Sequence, residues 1–320
     1  MKIFIEIPTW LGDAVMATPS IENIIQSYPD AKLVIFGSFV STKLFKNHPN
    51  VEKIIIDDSK KIGNRYINLF KLAKSVGDVD IALSFRKNFT TKFLLFFIKS
   101  EQNFIYKRFD KGLNTHQVIR YNDFINKSLS IKTNPDKLKI YLSSEKEENS
   151  KFVLGLNPGA TYGSAKRWYP NEFAKVAIEL STIYDIKIFG GPGETEIASD
   201  IETTLKDAGV ENFENLAGKT SVEELISNIS TLDLFITNDS GPMHVAAAFN
   251  VPTVSIFGPT RHNETNQWQN EHSMLLRKDM VCAPCMKRTC PLKDEKENHA
   301  CMKLITANDV LQKLREESLI

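Results

Sequence analysis

Eight consecutive residues, Thr237-Asn238-Asp239-Ser240-Gly241-Pro242-Met243-His244, combine the residue types that can hold an anion. A largely apolar run, Leu232–Ile236, stops just before them, and an Ala-rich run, Val245–Phe249, begins just after. That order predicts strand, tight polar turn, helix. Such a turn sets Asp239, Ser240 and the backbone N–H groups from Gly241 onward at a helix N-terminus. Unpaired N–H groups and the positive end of the helix dipole favour negative charge there. His244 lies four residues beyond Ser240 and reads either as a packed first-turn histidine or as a donor to the same anion. A second loop, Asn157-Pro158-Gly159-Ala160 through Ala165-Lys166-Arg167-Trp168, sets two cations beside glycines that allow close backbone approach. Both stretches predict binding of a phosphorylated small molecule.

A candidate base comes from the other end of the chain. The first apolar run leads into Pro8-Thr9-Trp10-Leu11-Gly12-Asp13. Gly12 permits a tight turn, and Asp13 opens the next helical pattern. Asp13 reads either as a helix cap, the plainer reading, or as a general base kept ionised by the helix N-terminus. Three further features are weaker. Gly190-Gly191-Pro192-Gly193-Glu194 and Gly258-Pro259-Thr260 are strand-end loops of the second half. Cys282, Cys285, Cys290 and Cys301, spaced C-x2-C-x4-C-x10-C, read either as thiols or as a structural zinc site. Lys92–Lys99 encloses Phe93-Leu94-Leu95-Phe96-Phe97-Ile98, which reads either as a core-facing helix end, the commoner case, or as a membrane-touching element with basic flanks.

Around these residues, apolar strand patterns alternate with amphipathic helix patterns. Strands are expected at Lys2–Ile7, Lys32–Phe36, Lys53–Ile56, Val79–Leu83, Asn103–Tyr106, Phe152–Leu156, Ile186–Phe189, Leu232–Ile236 and Thr253–Phe257. Helices are expected at Asp13–Ser27, Thr115–Lys127, from about Asn171, from Glu194, and at Thr306–Glu317 behind a capping box. The alternation predicts an α/β fold of doubly wound parallel sheets. The polar stretch Ser143–Ser150 reads as a linker between two such domains, with a cleft between them.

At 320 residues the chain is long enough for both. Its net charge of +1 hides an asymmetry: residues 1–150 hold 23 Lys and Arg against 16 Asp and Glu, and residues 151–320 hold 17 against 23. The basic first half reflects either chance or an anionic partner. No nucleic-acid motif is present, and no G-x-G-x-x-G follows the first strand, which disfavours a dinucleotide-dependent dehydrogenase. The N-terminal run holds Glu6 and reads as a strand rather than a signal peptide, and no apolar run reaches membrane-spanning length. A cytoplasmic protein is expected.

Three ordered blocks resemble glycosyltransferase family 9, the heptosyltransferases of lipopolysaccharide core synthesis. They are Trp10-Leu11-Gly12-Asp13 with Thr18-Pro19; Asn157–Ala160 with Ala165–Trp168; and Thr237–His244 with Phe257-Gly258-Pro259-Thr260. The resemblance implies a GT-B fold of two Rossmann-like domains: residues 1–148 binding acceptor, residues 149–305 binding donor, and a final helix, 306–320, that could pack back on the first domain. It implies inverting heptose transfer from ADP-heptose to the first heptose of the inner core on Kdo-lipid A. The catalytic residues would be Asp13 and Lys166. Thr9, Gly12, Gly159, Lys166, Asp239, Ser240, Gly241 and His244 would hold the donor phosphates, and Leu216-Ala217-Gly218 the adenosine. No cofactor is required by that chemistry. The setting implied is the cytoplasmic face of the inner membrane, as a peripheral protein. Family members with the same donor and another acceptor, or a non-catalytic nucleotide-sugar-binding protein of the same fold, remain alternatives. The family pattern reads Lys-Arg-Trp-Pro, whereas here Tyr169 stands between Trp168 and Pro170.

Overall fold

The structure, a computed structural model, describes residues 1–61, 63–109, 114–143 and 151–320. Apart from Ser143, the expected linker lies outside the described residues. The chain divides into two compact units, Met1–Ser144 and Glu145–Ile320.

The first unit holds five parallel strands: β1 (Lys2–Glu6), β2 (Lys32–Gly37), β3 (Val51–Ile56), β4 (Val79–Ser84) and β5 (Ser100–Ile105), in the order β3-β2-β1-β4-β5. Winding therefore reverses between β1 and β4. Ile3, Phe4 and Ile5 of β1 and Leu33 to Phe36 of β2 are all fully buried. Strands covered on both faces need continuous apolar runs rather than alternation. One face packs on the helices Arg65–Val76 and Phe89–Phe97 through Phe4, Val34, Phe36, Leu69, Ala73 and Leu94. The single helix expected at Asp13–Ser27 is two helices, Leu11–Met16 and Thr18–Ser27. Pro19 is the cause: it has no N–H, and its ring clashes with the carbonyl four residues back. The Thr18 hydroxyl donates to the Val15 carbonyl at 2.7 Å in its place.

The second unit holds six parallel strands: β6 (Phe152–Asn157), β7 (Tyr184–Ile188), β8 (Phe213–Asn215), β9 (Leu234–Asn238), β10 (Thr253–Ile256) and β11 (Ser273–Leu276). Their order is β11-β10-β9-β6-β7-β8, so winding reverses between β6 and β9. Neither β8 nor β11 was expected. Both are short strands at the sheet's edges and, unlike the wholly buried β10, only Met274 of their residues is buried, so neither is written as a buried apolar run.

The last helix, Ala307–Glu316, contributes to the second unit's core. Val310, Leu311 and Leu314 belong to the second unit's core, and the helix lies on the helix Pro170–Leu180 and on β11. Its N-terminus carries the expected capping box: Thr306 Oγ1 accepts from the Asp309 N–H at 3.3 Å, and Asp309 Oδ2 accepts from the Thr306 N–H at 2.7 Å. Leu314 is fully buried. Leu314→Ala should therefore lower the stability of the second unit by about 2–5 kcal/mol in urea unfolding, whereas a helix docked only loosely would give a change near zero.

Candidate functional site

The reversal point of a doubly wound sheet leaves a crevice at the C-terminal ends of its strands, where ligands bind. Here β6 ends in Asn157 and β9 in Asn238. Asn238 is wholly buried. Its Oδ1 accepts from the Trp168 backbone N–H at 2.9 Å, and its Nδ2 donates to the Pro158 carbonyl at 2.7 Å. Asn157 Nδ2 donates to Ser240 Oγ at 3.2 Å and to Thr237 Oγ1 at 3.3 Å. These amides tie the loop after β6 to the turn after β9.

Lys166 lies across the tie. Its Nζ stands 2.6 Å from Asp239 Oδ2, with both side chains largely buried. Thr260 Oγ1 donates to the same Oδ2 at 2.5 Å. Asp239, expected among the phosphate ligands, has its carboxylate engaged by a cation and a hydroxyl. Ser240 is the N-cap of the helix Gly241–Ala248, but its hydroxyl does not cap it; the hydroxyl is bonded to Asn157. The first-turn N–H groups are thus left for another acceptor. Gly241 opens this helix and His244 is buried on it.

The neighbouring strand ends extend the same rim. Glu194 Oε2 accepts from the Gly191 N–H at 2.8 Å. A Cβ at Gly159 would stand 2.1 Å from the Glu194 carboxyl carbon, so any larger residue would displace that carboxylate. Leu216, Ala217 and Gly218 follow β8, and the Gly218 N–H donates to the Gly190 carbonyl at 2.9 Å. The loops after β9, β6, β7 and β8 therefore touch in sequence.

Thr9, Gly12 and Asp13 lie in the first unit, after its central strand β1. Asp13 is half-buried in the first turn of Leu11–Met16, whose N-cap is Trp10, so the capping reading of Asp13 is corrected. Burial lifts the Tyr121 hydroxyl well above its usual pKa, and the nearby charge of Asp13 raises it further.

The cysteine segment packs against the Lys166 loop. The Ala165 N–H donates to the Arg288 carbonyl at 3.0 Å, and the Tyr162 hydroxyl donates to the Met286 carbonyl at 2.9 Å. Lys166 and Arg288 both stand over the Tyr162 ring. Tyr169, the insertion noted in the sequence, meets His299 Nδ1 at 2.9 Å, while His299 Nε2 meets the Ala165 carbonyl at 3.0 Å. Burial lowers the pKa of His299. All four cysteines are free and line one pocket. Burial, reinforced by the other three thiols, pushes Cys301 up to about 11. Among the described residues no three His, Cys, Asp or Glu side chains are grouped as an ion requires.

The model for Glycosyltransferase family 9 (heptosyltransferase) matches residues 71–296. The chain belongs to glycosyltransferase family 9. It is 44% identical to the lipooligosaccharide heptosyltransferase 2 of Campylobacter jejuni over 98% of each chain. It also resembles the solved structure of the E. coli ADP-heptose lipopolysaccharide heptosyltransferase II, with a TM-score of 0.80, 22% identity, and coverage of 99% and 98% of the two chains. A third likeness is to E. coli heptosyltransferase WaaC with ADP-2-deoxy-2-fluoro heptose, with a TM-score of 0.74, 15% identity, and coverage of 99% and 100%. The fold is therefore the α/β GT-B fold of these glycosyltransferases, and the chain is an enzyme of heptosyl transfer in lipopolysaccharide core synthesis.

For this family 9 enzyme, the sequence reading placed Asn157, Asn238, Thr260 and Glu194 inside its motifs but gave none of them a part in holding the site together. Each was visible as a polar residue at or just beyond a strand end, but nothing local told which strands would be neighbours. Asn238→Asp should test the tie. It keeps the acceptor for Trp168 but loses the donor to Pro158 and adds a buried charge beside Asp239. It should destabilise the unit by at least about 1–3 kcal/mol and weaken ADP binding in calorimetry, while unchanged binding would show that the loop is held by other contacts.

Proposed function

We propose that this family 9 enzyme moves L-glycero-D-manno-heptose from ADP-heptose to the first heptose of the lipopolysaccharide inner core on Kdo-lipid A, with inversion at the transferred carbon. The observation that carries the donor half is the Lys166 ammonium, held 2.6 Å from Asp239 beside the start of the helix Gly241–Ala248. The acceptor half is supported by the 44% identity to a lipooligosaccharide heptosyltransferase 2.

In this reading Asp13 takes the proton of the acceptor hydroxyl as that oxygen attacks the anomeric carbon. A positioned base contributes on the order of 10²–10⁴-fold. The bond to ADP breaks as the new glycosidic bond forms, and negative charge gathers on the departing diphosphate. Lys166 and the first-turn N–H groups after Ser240 stabilise it, acting as fixed charge that needs no reorganisation. Gly159 lets the backbone approach the diphosphate, Thr9 and Gly12 line the donor from the first unit, His244 supports the phosphate turn, and Leu216-Ala217-Gly218 receives the adenosine. The residues named supply both the base and the leaving-group charge, so the proposed chemistry does not call on a metal. The acceptor places the enzyme at the cytoplasmic face of the inner membrane as a peripheral protein. Among the described residues no helix is long and apolar enough to cross a membrane.

Asp13→Asn should keep ADP-heptose binding and lose most turnover, on the order of 10²-fold or more, in an ADP-release assay. A parallel loss of donor affinity would remove the base assignment. Lys166→Met should weaken ADP binding and leave Asp239 buried without its cation, which costs about 3–5 kcal/mol. Adding Asp239→Asn should recover much of that stability without recovering ADP affinity; recovery of both would show that Lys166 is structural only. The deciding assay offers Kdo-lipid A with and without one heptose. Product with the heptosylated acceptor alone supports the proposal, and product with the bare acceptor moves the chain to another member of the family.

A further inference from the structure

Two adjacent helices of the first unit, Arg65–Val76 and Phe89–Phe97, bury one side and leave the other covered in aromatic rings. Leu69, Ala73, Leu94 and Leu95 face the core. Phe96 is 80% exposed and Phe89 67%, with Ile67, Tyr66 and Phe70 also exposed. The rings form one surface rather than scattered points. Tyr66 meets Phe89 and Phe93 edge-on at 6.3 and 5.2 Å, and Phe97 meets Phe70 and Phe96 at 5.0 Å each. Isolated exposed apolar residues are ordinary, but a contiguous cluster on a soluble domain marks a surface that something covers.

The charge around it narrows what that is. Residues 64–99 hold seven Lys and Arg against two acids, Asp78 and Asp80. Both acids are engaged, Asp78 by the Lys99 ammonium and Asp80 by the Lys2 backbone N–H. Lys71, Lys74, Lys87 and Lys92 are all exposed, and Lys74 stands over the Phe70 ring at 5.6 Å. A second copy of this chain would bring like charge against like charge. A surface of negative headgroups above an apolar layer matches both parts of the face. Rings settle at the headgroup boundary, and lysines extend from long stems to phosphates.

We propose that this aromatic, lysine-bordered face seats the protein on an anionic bilayer surface, using side chains rather than a spanning or anchoring segment. The proposal deepens the reading of a lipid-anchored acceptor given above, yet it rests on a surface that contains none of the residues assigned to the transfer. It also resolves the two readings of Lys92–Lys99: Leu94 and Leu95 serve the core, while Phe96 serves the outer face.

Flotation of the full chain with phosphatidylcholine vesicles, with and without phosphatidylglycerol, tests it. Binding is expected with phosphatidylglycerol, and it should fall with salt, because counterions screen the lysines. Phe89→Ser/Phe96→Ser should weaken that binding by roughly tenfold or more with an unchanged melting temperature, since both side chains are exposed. Lys71→Glu/Lys74→Glu/Lys92→Glu should remove the preference for phosphatidylglycerol. ADP release with a water-soluble acceptor fragment should be unchanged in both variants, which separates failure of this face from failure of the transfer reading. Wild-type protein that floats with neither vesicle, or variants that float like wild type, would overturn the proposal. So would a dimer in sedimentation that the Phe89→Ser/Phe96→Ser variant abolishes.

Discussion

A buried ammonium has to be neutralised before its ligand arrives, and in this protein Asp239 does it. The Lys166–Asp239 pair at 2.6 Å is the contact around which the second unit's strand ends are arranged. Removing water from both ions is costly unless the remaining hydrogen-bonding capacity is met. Thr260 meets part of it on Asp239. The pair in turn requires the turn after β9 and the loop after β6 to stay at fixed separation, and the two asparagine side chains provide that fixture. Asn238 joins Trp168 to Pro158, and Trp168 is itself pinned by its indole N–H to the Ile305 carbonyl at 2.8 Å. A cation placed in this way gives up some free charge in the empty site. It gains a geometry that a flexible surface lysine would have to be ordered into at each binding event.

That arrangement explains which parts were legible in the sequence. The doubly wound sheets were, because strands buried on both faces are written as unbroken apolar runs, such as Ile3–Ile5 and Leu234–Ile236. The turn after β9 was legible because Ser240, Gly241 and Pro242 are local signals for a strand-to-helix turn. The partners were not. Asn157 and Asn238 become neighbours only because winding reverses between β6 and β9, a long-range outcome that no window of sequence contains. The pairing of Asp239 has the same origin: nothing near it in the chain shows that a lysine from 73 residues earlier stands beside it. The two short edge strands and the break at Ala17 were not legible for smaller reasons: too little burial to be written as an apolar run, and a proline that disrupts the helix upstream of itself, at the Val15 carbonyl.

The final 40 residues show a related limit. Read locally, they are a cysteine cluster followed by an amphipathic helix. In the fold, both are supports. Leu314 and Val310 complete the second unit's core, and the cysteine segment lies along the loop that carries Lys166. His299 is the joint: one ring nitrogen meets the Ala165 carbonyl and the other the Tyr169 hydroxyl, while its backbone N–H donates to Cys290 Sγ at 3.2 Å. With both ring nitrogens engaged and burial disfavouring the cation, the neutral ring is the form that suits this joint. Tyr169 is thus more than an irregularity against the family pattern. It supplies the hydroxyl that seats His299, one residue past the buried Trp168 and immediately before Pro170 opens the next helix.

In the proposed transfer, the division between the two units would follow from what each recognises. A nucleotide diphosphate is compact and carries its charge at one place, so strand ends, glycines and a single held cation suit it. A lipid-borne sugar belongs to an extended, negatively charged surface. Recognition of such a surface needs area and distributed positive charge more than a pocket. The excess of Lys and Arg in the first half, the half that also carries Asp13, is consistent with that requirement. The acidic balance of the second half would then cost the proposed donor site little, because Lys166 and the helix N-terminus would act at contact distance, while the net charge of a domain is screened by salt over roughly 10 Å.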